Sequence, residues 1–216
     1  MSAVAIDVLA ERLAHGAAAL GLVLSSAQRD ALLAYLTLID KWNRVHNLTA
    51  VREPARMLAL HLLDCLAVVP HLDNGAKRLL DVGTGGGLPG ICIAIARPDL
   101  TVTMLDAVQK KTAFVRQAIG ELGLANADVV TARVESYRPE VPFDIVISRA
   151  FADLADFASG AGHLLATGGR LLAMKGVDPV DEIARLDGAW QTRRIALAVP
   201  QLDAQRQLIV LTRPPA

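Results

Sequence analysis

Arg78-Leu79-Leu80-Asp81-Val82-Gly83-Thr84-Gly85-Gly86-Gly87-Leu88-Pro89-Gly90 is the stretch whose reading decides the fold. An apolar run broken only by Asp81 leads into four glycines, and Ile91, Ile93, Ala94 and Ile95 then predict a helix. A buried strand turning through glycines into a helix is the ligand-cradling unit of open α/β sheets. Glycine permits unusual φ and lets a ligand approach the backbone with no Cβ in the way. The helix start offers unpaired N–H groups to a polar ligand.

Two ligand patterns overlap here. Gly85-x-Gly87-x-x-Gly90 matches the dinucleotide fingerprint, whereas Asp81-x-Gly83-x-Gly85-x-Gly87 matches the first motif of S-adenosylmethionine methyltransferases. A lone glycine pattern is weak and can be a structural turn. Register favours the second pattern: the strand's apolar residues end at Val82, so the turn begins at Gly83, and a fingerprint opening at Gly85 begins too late. Asp106 closes the next apolar run at the spacing of about 20 residues expected for a ribose-binding carboxylate. Both ligands want that carboxylate, so it supports the fold more than the choice.

Outward from this unit, strand and helix alternate. Strands are predicted at 78–82, 100–105, 127–131, 143–148, 169–174, 193–199 and 207–212, and helices at 89–97, 109–122, 153–165 and 179–188. Alternation argues for a parallel sheet. Only Pro200–Arg206 separates the last two strands, too short for a parallel crossover, so they must form an antiparallel hairpin. The expectation is an α/β fold of the class I, Rossmann-like methyltransferase plan: a seven-stranded, mostly parallel sheet ending in an antiparallel hairpin. A dinucleotide dehydrogenase would ordinarily continue into a further domain.

Ahead of the sheet, residues 1–75 read as a helical segment packed on the 76–216 domain, the two making one compact unit. Val4, Val8, Leu9, Leu13, Ala17 and Leu20 mark a first helix over 3–20. Ser25 and Gln28 form a capping box for a second, striped by Leu32, Leu36 and Ile39 and ending near Trp42. Residues 43–49 read as a polar loop. Glu53-Pro54 opens a third helix toward Val69, and Asp73-Asn74-Gly75 breaks it.

Bulk composition narrows the class. With 22 Lys+Arg against 22 Asp+Glu, no global polycation exists, and any nucleic-acid surface must be a local patch. Cys65 and Cys92 lie in apolar runs without CxxC spacing and read as reduced core residues, not a disulfide or metal pair. Asp7 and Glu11 interrupt the N-terminal apolar residues, arguing against a secretory leader, and no apolar run reaches membrane-spanning length. A cytoplasmic monomer is the expectation.

Several short motifs are more specific than the glycines: Lys41-Trp42-Asn43, His46-Asn47-Leu48-Thr49, His61-Leu62-Leu63-Asp64, the Leu88-Pro89-Gly90 ending of the glycine loop, and Ser148-Arg149-Ala150-Phe151. In this order they resemble the bacterial small-subunit rRNA guanine-N7 methyltransferase family, glucose-inhibited division protein B, from about residue 30 to 212. The resemblance implies S-adenosylmethionine as cofactor, contacted at Gly83, Leu88, Val134, Glu135 and Arg149, and 16S rRNA or the small ribosomal particle as partner. One departure stands near the C-terminus: the family's Glu-Arg-His is here Gln205-Arg206-Gln207, which keeps the arginine and puts the flanking roles in doubt.

The residues themselves fit this outline. Gly83, Gly85 and Gly87 would bring backbone close to the methionine portion, Asp106 would take the ribose hydroxyls, and Val134-Glu135 would bracket the adenine edge; alone, Glu135 is equally a solvated turn carboxylate. Arg149 falls just past a strand end, where ligands of open sheets bind, and with Asn43 is the candidate for positioning the reactants. Asp81 can contact the cofactor directly or hold the loop. Arg44, His46, Lys110, Lys111, Arg116, Lys175 and Arg206 are candidate rRNA contacts, as is Arg52, although a solvated face explains any one of them. His61 and Asp64, at i and i+3, read as a satisfied structural pair, and with no third ligand nearby no metal is expected. If guanine N7 is the acceptor, its free lone pair needs no general base. A small-molecule methyltransferase and a non-catalytic RNA-binding module remain the alternatives.

Overall fold

The computed structural model describes residues 3–46, 48–149, 151, 153–176 and 179–214. Its strands are β1 (Arg78–Val82), β2 (Thr101–Asp106), β3 (Ala127–Thr131), β4 (Phe143–Ser148), β5 (Leu165–Lys175), β6 (Gln191–Ala196) and β7 (Gln207–Thr212). Among the described residues they form one sheet in the order β3-β2-β1-β4-β5-β7-β6. β1 pairs in parallel with β2 and β4, whereas β7 runs antiparallel to both β5 and β6. The predicted class and terminal hairpin are therefore present. The chain order reverses direction between β1 and β4, and ligands of open α/β sheets bind outside the carboxyl ends of strands at such a switch point.

Alternate residues along the central strands feed opposite layers, as a period of two requires. Leu79, Ile145, Ile147, Leu172 and Leu208 join one core cluster, and Leu80, Val146, Leu171 and Ile209 join the other. The first layer is capped by α1 (Ala3–Ala19), α2 (Ser26–His46), α5 (Gly90–Ala96) and α6 (Gln109–Leu122), the second by α7 (Leu154–Ala161). The N-terminal helices share the sheet's own core: Leu13, Leu32 and Leu36 belong to the cluster holding Ile91 and Val102.

The capping box forms at the start of α2, with Ser25 N donating to Gln28 Oε1 (2.9 Å) and Gln28 N to Ser25 Oγ (3.2 Å). Gln28 also docks the helix, its Nε2 donating to Ile95 O at 2.8 Å. Further on, Trp42 packs its ring 5.4 Å from that of Phe114 on α6.

Several boundaries differ from the sequence expectation. α2 runs on through His46, because no glycine or proline interrupts it and Asn43 is buried against the core rather than in a loop. The third helix is α3 (Pro54–Met57), a π-helical segment Leu58–Leu63 and α4 (Asp64–Leu66) in succession, followed by a 3-10 turn at Val69–His71. β5 starts early, where Gly168 takes φ +77° and Gly169 lies so close to the carbonyls of Phe143 and Asp144 that a Cβ would sit 3.0 Å from them. The edge strand β6 is shorter than predicted and exposes Gln191–Arg194, polar residues that blunt a sheet edge. Helix α8 (Val180–Ala184) likewise covers only part of 179–188. Among the described residues no helix is long and apolar enough to cross a membrane.

Candidate active site

The loop after β1 is held from three directions. From beneath, the fully buried Asp81 carboxylate accepts through one oxygen from Thr84 Oγ1 (2.6 Å) and Gly90 N (2.8 Å). Its other oxygen is buried without a partner. Burial pushes its pKa up to about 6, against the opposing pull of Thr84 and Gly90. From β2, Leu105 O accepts from Gly83 N (2.8 Å) and Thr84 N (3.1 Å). From α2, the buried Tyr35 hydroxyl donates to Gly86 O. Ser148 Oγ donates to Val82 O at 2.8 Å, fastening the end of β4 to the end of β1.

Gly83, Gly85 and Gly87 all take positive φ, but for different uses. A Cβ on Gly85 would meet nothing nearer than Gly83 O at 4.0 Å, so that position opens onto space. A Cβ on Gly87 would strike Ile91 Cδ1 at 2.6 Å and the Tyr35 hydroxyl at 3.0 Å, so its glycine serves internal packing.

Three cavities line the carboxyl edge of the sheet. The first, about 210 Å³, is bounded by Gly83, Asp106, Val134, Glu135 and Phe151 among others. The second, about 260 Å³, is bounded by Thr49, His61, Gly83, Gly85, Leu88 and Arg149. They meet at Gly83. The third, about 340 Å³, lies over β5 and β7 and shares His61 and Arg149 with the second. Asp106 accepts from Gly85 N through one oxygen and from Val108 N through the other, both at 2.9 Å, with Lys111 Nζ 3.8 Å away. Backbone donors thus hold the carboxylate in a fixed orientation at the rim of the first cavity.

The structure brings together most of the predicted cofactor residues. Gly83, Asp106, Val134 and Glu135 line the first cavity, and Gly83, Gly85, Leu88 and Arg149 the second. Gly87 does not join them, for the packing reason above. Asn43 stands behind the second cavity: its Oδ1 accepts from Thr49 N at 2.9 Å, and Thr49 Oγ1 meets His61 Nε2 at 2.9 Å. Asn43 therefore shapes the wall through Thr49 and does not itself line the cavity.

The expected His61–Asp64 pair is replaced by separate partners, since the π-helical turn at Leu58–Leu63 changes the angular spacing that i, i+3 neighbours have in an α-helix. Asp64 instead bridges Arg206 Nε (2.9 Å) and Arg149 Nη1 (3.4 Å). Burial, with the Arg149 charge nearby, lowers the His61 pKa to about 4, so the imidazole is neutral at pH 7.

The basic candidates divide. Lys111 reaches the second cavity, and Lys175 and Arg206 line the third. Arg44 pairs with Asp40 at 3.1 Å on the exposed side of α2, and Arg116 turns away to Val129 O of β3 at 3.4 Å, so neither joins a cavity wall. Lys110 and Arg52 are exposed and line none of these three cavities. The His46 side chain, Asn47 and Ala150 lie outside the described residues. Sequence reasoning missed Tyr35, Thr49 and Phe151. Phe151 carried a signal in the Ser148-Arg149-Ala150-Phe151 motif, while Tyr35 showed only as a polar tip beside the stripe of α2. Among the described residues no cluster of three or more His, Cys, Asp or Glu could hold a metal.

Residues 28–210 match the family described as GidB, rRNA small subunit methyltransferase G. This chain belongs to that family. Proteins of the same description from Burkholderia ambifaria (strain ATCC BAA-244) and Burkholderia cenocepacia (strain HI2424) are 56% and 57% identical to it. Each match covers 94% of this chain, and 92% and 91% of the relative respectively. Among solved structures, the S-adenosylmethionine-dependent methyltransferase SibL superposes with TM-score 0.60 at 20% identity, over 81% of this chain and 62% of that one. The Bacillus cereus O-methyltransferase in complex with SAH gives TM-score 0.56 at 18% identity, over 84% and 91%. These two likenesses concern the fold.

The residues present fit S-adenosylmethionine. A cavity carrying a pre-oriented carboxylate and an aromatic ring suits an adenosine. It shares the bare glycine Gly83 with a second cavity, where Gly85 leaves room beside the backbone.

Proposed function

We propose that this protein, acting as a cytoplasmic monomer, methylates N7 of a guanine in small-subunit 16S rRNA, with S-adenosylmethionine as donor. The observation that carries the reading is the row of three cavities that share lining residues, two suited to the halves of the cofactor and a third walled by cations, in a chain of this family. Asp106 would accept from the ribose hydroxyls, and Val134 with Glu135 would border the adenine edge. Gly83 and Gly85 would let the methionine portion lie against bare backbone. Arg149, shared by the second and third cavities, would sit where donor and acceptor meet.

When bound, the cofactor supplies an electrophilic methyl on a sulfonium. What the chain supplies is placement. Guanine N7 carries a free lone pair, so the residues need only hold the base in line and exclude water, and alignment of this kind accounts for most of the rate. His61 agrees with that division of labour: a neutral imidazole with a pKa near 4 is a poor proton acceptor at pH 7. To reach the methyl donor, the target base must lie in an unstacked loop or be swung out of its stack.

The test is transfer of tritium from labelled S-adenosylmethionine into small-subunit rRNA, followed by nuclease digestion and mass spectrometry. The expected product is 7-methylguanosine. Label in an exocyclic amine or a ribose would overturn the N7 assignment, and transfer to small molecules in place of RNA would overturn the substrate class.

A further inference from the structure

The third cavity is bounded by Arg149, Lys175 and Arg206, and among the described residues Asp64 is the one carboxylate in its wall. These are not solvated surface charges: the side chains of Lys175, Arg206 and Arg149 are 10%, 21% and 27% exposed. Asp64 is 3% exposed and both its oxygens are engaged, one by Arg206 and the other by Arg149. Its charge is offset within the wall by those two guanidiniums. Asp64 in turn orients the two, from elements that lie 85 and 142 residues away in sequence. Lys175 is held to Glu182 Oε2 (2.7 Å) and Phe151 O (3.0 Å), so its ammonium too is fixed in place. At Gly176 a Cβ would come within 3.3 Å of Arg206 Nη1, and the glycine keeps the backbone bare beside that guanidinium. The His61 in this wall is neutral, so among the described lining residues three cations face one carboxylate, with Glu182 pairing Lys175 from outside the wall.

Half-buried cations in a concave, low-dielectric wall attract an anion far more strongly than the same charges on an open surface. Arginine's planar fork suits a tetrahedral oxyanion in particular. We propose that this cavity is a phosphodiester subsite: Arg206 and Lys175 grip a backbone phosphate at or beside the target nucleotide, while Asp64 acts as a positioning residue that fixes the Arg206 and Arg149 guanidiniums before RNA arrives. The proposal rests on rRNA being the acceptor. Its volume, about 340 Å³, lies in the range of roughly 300–1,000 Å³ typical of ligand pockets, so part of the attached nucleotide fits as well. The cavity shares His61 and Arg149 with the second one, which would place a nucleotide anchored here beside the methyl donor.

The test uses the full chain, 16S rRNA as the probe, saturating S-adenosylhomocysteine, and the variants Arg206→Gln, Lys175→Gln and Arg206→Lys. RNA affinity is measured across potassium chloride from about 50 to 200 mM, the span over which phosphate contacts weaken strongly. Each Gln variant is expected to bind RNA more weakly at low salt and to flatten the log–log salt slope by about 1, the signature of one lost phosphate contact. Arg206→Lys should restore most of the slope. Calorimetry should show unchanged S-adenosylhomocysteine affinity in all three. An unchanged slope in folded Gln variants overturns the subsite, as does a loss of S-adenosylhomocysteine affinity, which would assign these cations to the cofactor. Failure of the wild-type protein to methylate rRNA at all would instead overturn the functional reading, so the two failures are separable.

Discussion

Replacing Asp81 by Asn should change how stability depends on pH, and the size and sign follow from two buried groups that oppose one another. Burial raises the Asp81 pKa from 3.8 to about 6, although hydrogen bonds from Thr84 and Gly90 resist the shift. A raised carboxyl pKa means that the folded state holds the proton more tightly. Its stabilising contribution is therefore complete below the unfolded value and is lost as pH rises through about 6. At about 1.4 kcal/mol per pKa unit, the loss is about 3 kcal/mol. His61 works the other way. Its pKa falls from 6.5 to about 4, chiefly by burial, so its contribution is present above 6.5 and lost as pH falls through about 4, again about 3 kcal/mol. Between pH 4 and 6 the two nearly cancel, and the wild-type protein should show little pH dependence from this pair. Asp81→Asn removes one side of the balance. The stability difference between Asn variant and wild type should then move in the variant's favour by about 3 kcal/mol from pH 4 to 6.5. Urea unfolding at four pH values across that range measures it, and taking the difference cancels every other titrating group. A difference that stays flat with pH would refute the reasoning, because Asp81 would then ionise in the fold as easily as in water.

Asp106→Ala should weaken S-adenosylmethionine by about 1–3 kcal/mol, the usual cost of stranding hydrogen-bonding groups, and calorimetry on the folded variant decides it. Tyr35→Phe removes the hydroxyl that holds Gly86 O; we expect about 1 kcal/mol of stability to be lost and KM for the cofactor to rise more than kcat falls, as steady-state kinetics will show. The single-turnover rate of methyl transfer should be nearly flat from about pH 6.5 to 9 and fall below about 6 as Asp81 takes up its proton and loosens the loop. A log-linear rise through the neutral range, abolished by mutating one histidine or glutamate, would show that a base is removing a proton and that N7 is not the acceptor.

The sheet was legible because its signals are local. β1, β3, β4 and β7 start and end where the apolar runs start and end, and α6 runs over the predicted 109–122 to Gly123, which caps it at φ +63°. The cofactor side of the site was legible for the same reason: the glycine turn, Asp106 and Val134-Glu135 each follow directly on a strand end. What could not be read was set by tertiary contact. The end of α2 depends on Asn43 turning back to Thr49, read as a fellow loop residue, and on Trp42 packing against Phe114, which lies far along the chain. The His61–Asp64 expectation assumed α-helical spacing, and no residue between Leu58 and Leu63 announces a π-helical turn. The four glycines looked alike in sequence, yet the backbone around Gly85 opens onto a cavity while Gly87 is packed against Ile91 and Tyr35.

The tertiary contacts that sequence could not supply have a common effect, which is to fix the site before a ligand binds. The glycine turn is held by Asp81 below, Leu105 behind and Tyr35 from α2. One wall of the acceptor side is held by Asn43 through Thr49 to His61, the other by Asp64 through its two arginines. Three of those anchors (Tyr35, Asn43 and Asp64) lie in the N-terminal helices rather than in the nucleotide-binding sheet. A lid that merely closed over a finished site would leave the loop's geometry to the sheet. Here the helices share the sheet's core and hydrogen-bond its glycine loop directly. The site also retains a costly feature, since a carboxylate with one unpartnered oxygen is kept in the core at Asp81. Buried charge of that kind is tolerated where it fixes a geometry that a neutral side chain would leave looser, and the geometry fixed here is the turn on which cofactor placement depends. If N7 is the acceptor, as proposed, the reaction needs no proton acceptor, alignment is left as the main source of rate, and the stability given up at Asp81 goes to alignment.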